Sequence, residues 1–257
     1  MTPDTPSNFT RARSKTGLFV ASAIWAAATI VSAYICSMLL SIPGAAGASF
    51  FWLPQIFMVT AAIWFGWRGW VAAAVGTFLG GALAGNPLAI NIAQNPIPAF
   101  LANTFLLWVM FKTMGIRLPE HGRDLSRGML VKVLLAIAGI IALAMAVGYV
   151  LNPLIGQWGY LVVLAVTLLG FYVFNASGLG SRVDKHLINA VLAVVVTSII
   201  SAVMGAVAWA TIGEMGASAY SIVLPGWAMG DIVAGILGLA VLWGLTAEMR
   251  RRGLSVY

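Results

Sequence analysis

The sequence predicts an all-α integral membrane protein with eight transmembrane helices and both termini in the cytoplasm, and two observations carry that expectation. Hydrophobic residues make up 61% of the 257 positions and charged residues only 8%, whereas about a quarter of a soluble domain is charged. All 14 Lys and Arg residues fall in alternate connections between apolar runs, as the positive-inside bias places them in cytoplasmic loops. Arg11, Arg13 and Lys15 precede the first run, and Arg68 separates the second from the third. Lys112, Arg117, Arg123, Arg127 and Lys132 follow the fourth, Arg182 and Lys185 follow the sixth, and Arg250, Arg251 and Arg252 follow the eighth.

The runs read as spans over 17–42, 50–66, 69–85, 97–114, 129–151, 158–177, 187–212 and 220–249. A crossing helix needs about 20 residues at about 1.5 Å each, so the second and third are short. The turn Gly66-Trp67-Arg68-Gly69 joins them either as two tightly packed helices or as a hairpin that crosses only in part. Full crossing is the favoured reading, because it keeps Arg68 out of the bilayer. Trp52, Trp67, Trp70, Trp158 and Trp243 lie near span ends, where an aromatic belt is expected. The first run is longer than a signal-peptide core of roughly 7–15 residues, so an uncleaved helix is expected.

The net charge of +7 is attributed to topology and to anionic headgroups, not to nucleic acid. Little chain is expected outside the spans, so catalytic output, DNA binding or ATP hydrolysis would come from a partner. No enzyme activity and no cofactor are expected. His121 and His186 fall in predicted loops, no Cys/His cluster has metal-ligand spacing, and the single Cys36 lies within the first span.

Asp231 is the one ionisable side chain predicted inside a span and away from its cytoplasmic edge. An intramembrane carboxylate is costly and points to function. Counting back from Arg250 puts it about 28 Å away, toward the outer face. Pro225-Gly226-Trp227 and Gly230 are expected to break or bend the helix there and open an outward pocket; the alternatives are an Asp at the headgroups or one capping a helix that begins there. Asn103, nine residues before Lys112, and Thr77, nine after Arg68, are expected near the midplane. Either cavity lining or interhelical hydrogen bonding fits them. Gln55 shares the outer depth of Asp231. Gly76-xxx-Gly80 and Gly81-xxx-Gly85 are spacings that permit close helix approach. The segments around Asn86-Pro87 and Asn95-Pro96 read as a polar outer connection.

Three stretches resemble a known family. Phe51-Trp-Leu-Pro54 leads to Phe65-Gly-Trp-Arg-Gly-Trp70 and a glycine-rich run over 75–85, followed by Ala102-Asn103-Thr104. Ile200-Ser-Ala-Val-Met-Gly205 then precedes Trp227-Ala-Met-Gly-Asp231 and Gly235. The order is similar to the first type of membrane-associated sensor (MASE) domain, an eight-helix input module found ahead of bacterial histidine kinases and diguanylate cyclases. The resemblance implies a prokaryotic cytoplasmic membrane, a small-molecule ligand and a separate signalling partner. With the residue reading it makes Asp231, Trp227, Asn103 and Gln55 the candidate ligand-binding residues. Runs two and three also look like the substrate-binding components of energy-coupling-factor transporters, which would imply an ATPase partner. A third reading is an accessory subunit packed into a larger membrane complex.

Overall fold

A computed structural model describes residues 15–42, 45–49, 51–119 and 185–257, with scattered helical positions between 132 and 173. The chain begins with α1 (Lys15–Leu39) and a short antiparallel ribbon of β1 (Ser41–Ile42) and β2 (Ala45–Ser49). Next come α2 (Pro54–Phe65), α3 (Trp67–Leu83), α4 (Leu88–Gln94) and α5 (Pro96–Phe100). A π-helical turn (Leu101–Leu106) leads into α6 (Leu107–Thr113), and two long helices, α7 (Lys185–Thr211) and α8 (Ser218–Arg251), complete the described fold.

Among the described residues three helices, α1, α7 and α8, are long and apolar enough to cross a membrane. This replaces the expected eight, together with the terminus placement derived from that count. The reason is local. Gly66 divides the second and third runs at φ 57°, ψ −134°, a conformation that glycine adopts without a Cβ clash, leaving helices of 12 and 17 residues. The π turn over Leu101–Leu106 divides the fourth run, leaving helices of 5 and 7 residues on either side. The expected spans over 129–151 and 158–177 lie mostly outside the described residues.

Helix α2 is the hub. It is apolar along nearly its whole surface, and every residue but Phe57 is buried, as for a helix enclosed on all sides. Trp25 of α1 donates its indole N–H to Thr60 Oγ1 at 2.8 Å, and Trp64 donates to Thr246 Oγ1 of α8 at 2.8 Å. The last-turn carbonyl of Trp64, which has no partner within its helix, accepts the Val256 N–H at 2.7 Å. A Cβ at Gly76 would overlap Thr29, and one at Gly80 would overlap Ala33, so this glycine pair lets α1 and α3 approach closely. The second pair does not act that way: Gly81 faces the amides of Asn91 and Asn95, and Gly85 is a turn residue at φ 81° with open space around it.

Helix α8 continues through Pro225, correcting the expectation of a break and ruling out Asp231 as a cap. Trp67 is 60% exposed, whereas Trp52 and Trp243 are buried core aromatics and not belt residues. The outward faces are apolar: Phe19, Val31, Leu39, Leu83 and Ile188 are all exposed.

Candidate functional site

Asp231 is fully buried where α8 meets α2, α7 and the π turn. Glycines set the spacing. A Cβ at Gly235 would overlap Val194 of α7 and touch the Gln55 side chain at 3.5 Å, and one at Gly238 would press on Ile56 and Val59. Gln55 is thereby laid against α8 one turn from Asp231. The π turn re-aims the fourth run at this point. Its wider winding displaces the ladder, and Thr104 Oγ1 returns a hydrogen bond to the carbonyls of Ala99 and Phe100, both at 2.9 Å. Asn103 then faces inward and is buried.

Asn103 joins all four elements. Its Nδ2 donates to Asp231 Oδ2 at 3.2 Å and to Ser201 Oγ at 2.9 Å, while its Oδ1 accepts from Gln55 Nε2 at 3.3 Å. The Ser201 hydroxyl and the Trp227 indole also face the carboxyl at close range. Trp227 packs there against Gly205, where a Cβ would overlap the indole ring. Cys36 accepts the Leu53 N–H at 3.3 Å and lies within electrostatic range of Asp231.

Three atoms in this layer lack hydrogen-bond partners: Asp231 Oδ1, Gln55 Oε1 and Ser198 Oγ. They come from α8, α2 and α7. Two are pure acceptors and the third is a hydroxyl. Among the described residues, the ion pairs formed are those of Glu248 with Arg251 and Arg252, so Asp231 has no cationic partner there. Buried polar atoms almost always find a partner, and an acceptor surplus around a carboxylate suits a cation or a group rich in N–H donors. No cluster of three or more His, Cys, Asp or Glu side chains occurs among the described residues.

The structure therefore brings Asp231, Trp227, Asn103 and Gln55 into one layer. The layer is not open to the outer face as expected, because Asp231 is 0% exposed. Thr77, expected at the depth of Asn103, bonds only to the Ala73 and Ala74 carbonyls of its own helix. Sequence reasoning missed Ser198 and Ser201. Their signal is a stripe of Val194, Ser198, Ser201 and Gly205 at helical spacing, which gives one narrow polar, small-residue face in an otherwise apolar helix.

The segment over 86–98, expected as a polar connection, is largely helical and carries a second buried polar cluster. Asn91, Gln94 and Asn95 are buried on or beside α4. Asn95 Nδ2 donates to Asn91 Oδ1 at 2.6 Å, Asn91 Nδ2 donates to the Phe78 carbonyl at 3.1 Å, and Trp209 Nε1 donates to Gln94 Oε1 at 2.7 Å. These bonds tie α3, α4 and α7 together at the end of the bundle away from the cations.

The cationic end is equally well tied. Arg250 donates to the carbonyls of Pro119 at 3.2 Å and Tyr257 at 3.1 Å, and Lys112 Nζ lies 4.2 Å from the Tyr257 ring centroid. Tyr257 donates its hydroxyl to the Ile116 carbonyl at 2.6 Å, and burial pushes its phenol above its ordinary pKa. His186 lies in the first turn of α7, not in a loop, and accepts the Arg117 N–H at 3.3 Å. No protein-family model matches the chain, and neither a curated protein nor a solved structure matches it.

Proposed function

We propose that the chain is a membrane-embedded receptor for a small cationic or donor-rich solute, held at Asp231, which acts through a separate partner protein. The observation that carries this reading is the acceptor surplus: three unpartnered buried oxygens, on three helices, around a carboxylate with no cation beside it among the described residues. The cluster around Asn91 differs in kind, because it has no carboxylate and its unpartnered atoms include the amide donors Asn86 Nδ2 and Gln94 Nε2. The resemblance to sensor domains, carried by Asn103, Trp227 and Asp231 among others, supports a sensory role in a prokaryotic cytoplasmic membrane.

The test is thermal unfolding of the purified chain in lipid nanodiscs, against sodium, potassium, small primary amines and polyamines. A ligand at about 100 times its Kd stabilises by about 2.7 kcal/mol, a shift readily measured. Asp231→Asn is expected to move the concentration dependence up by at least about tenfold, a loss of about 1.4 kcal/mol in binding. A concentration dependence unchanged in Asp231→Asn would remove Asp231 from the site.

The orientation proposed places the cationic end in the cytoplasm, where Lys and Arg accumulate. A cysteine at Arg252 should react with an impermeant maleimide only after intact cells are opened; labelling of intact cells would invert the orientation. Buried Cys36 leaves the background low.

A further inference from the structure

A groove of about 230 Å3 runs between α1 and α3 on the lipid-facing side of the bundle, at the cationic end and away from Asp231. Its base is made by buried Ala72 and half-buried Ala26, whose short side chains leave the space between the helices open. Phe19, Val71 and Val75 form exposed apolar walls. Farther along, the same two helices close tightly at Gly76 and Gly80, so the groove is deep only near the cationic end.

Arg68 stands at that mouth. It is half-buried, and its guanidinium carbon lies 4.8 Å from the ring centroid of the exposed Trp67. Among the described residues no carboxylate pairs with it. The only hydroxyl among the groove's lining residues, that of Ser22, is already donated to the Phe19 carbonyl at 2.9 Å. The site thus offers an apolar slot, a fixed cation unbalanced by any neighbouring acid among the described residues, and an interfacial indole beside it.

We propose that this groove binds an anionic phospholipid from the leaflet at the cationic end, with one acyl chain in the slot and the headgroup phosphate on Arg68. Charge complementarity selects the occupant. A guanidinium forms paired N–H bonds to phosphate oxygens, and a net negative headgroup leaves charge for Arg68 that a zwitterionic one neutralises internally. Cytoplasmic leaflets are the anionic ones, and Trp prefers the headgroup level that Trp67 would occupy. The proposal rests on the membrane embedding proposed above and is independent of any ligand at Asp231.

The test is native mass spectrometry of the full chain released from nanodiscs of equal phosphatidylglycerol and phosphatidylcholine. The wild type is expected to retain one phosphatidylglycerol in preference to phosphatidylcholine. Arg68→Gln should reduce that preference by about fivefold, the factor for one basic residue at an anionic surface, whereas Arg68→Lys should keep most of it. Ala23→Phe, a substitution at an exposed position lining the slot, should reduce retention of both lipids. The proposal is overturned if the wild type retains neither lipid, if Arg68→Gln keeps the full preference, or if a second copy of the chain occupies this face in place of lipid.

Discussion

Asn103 holds the polar layer together: its amide nitrogen reaches α7 and α8, and its carbonyl receives the Gln55 amide from α2. Asn103→Leu would strand Asp231 Oδ2 and Gln55 Nε2 in a buried setting, and each unsatisfied group costs about 1–3 kcal/mol. We therefore expect a lower Tm in mild detergent, by roughly 2–4 °C per kcal/mol for a chain of this size. Thr77→Val removes a hydroxyl that bonds only within its own helix, and its effect should be much smaller. Equal losses in the two variants would contradict a network centred on Asn103. The sequence assigned these two residues the same depth, because helical rise fixes depth. It could not tell them apart, because the direction a side chain faces depends on local winding, here the π turn that contains Asn103, and on which helix packs alongside. Asp231 was legible for a different reason: a carboxylate in an apolar run is conspicuous whatever the packing.

At the level of elements, what could be read was the periodicity of apolar runs and the punctuation between α2 and α3. Gly66 and the short runs on either side of it anticipated a tight junction, and the structure places a positive-φ glycine there. Hydropathy failed where polar residues bond to one another and to neighbouring helices. Asn91, Gln94 and Asn95 look like a surface loop on composition, yet pairing with each other, with Phe78 and with Trp209 makes them part of the buried helical end. It failed again over 97–114, where a continuous apolar run hides three local geometries: α5, the π turn and α6. Pro225 misled in the opposite direction. A proline removes one donor and kinks a helix, but α8 is buttressed by α2 and α7 along its buried face and persists on both sides of it. Counting runs therefore overestimated the number of crossing-length helices among the described residues, because a run of apolar residues records burial and not an unbroken helix.

For the molecule as a whole, three physical facts fit together. Among the described residues the exterior is apolar, the cations gather at one end, and the interior polar groups concentrate in two layers, one of which holds unpartnered acceptors around a carboxylate. The cation pattern was the most legible global feature, since it needs no knowledge of packing. The inner layer was only partly legible, because Ser198 and Ser201 acquire meaning only once α7 lies beside Asp231. The central claim is that this layer receives a ligand. The most direct measurement is an experimental structure of the chain in a lipid nanodisc, at a resolution that shows ordered small groups between α2, α7 and α8. The account predicts non-protein density within hydrogen-bond distance of Asp231 Oδ1, Gln55 Oε1 and Ser198 Oγ. A layer in which the Gln55 amide turns to donate to Asp231, with no density between the helices, would contradict it and make the network a structural clasp.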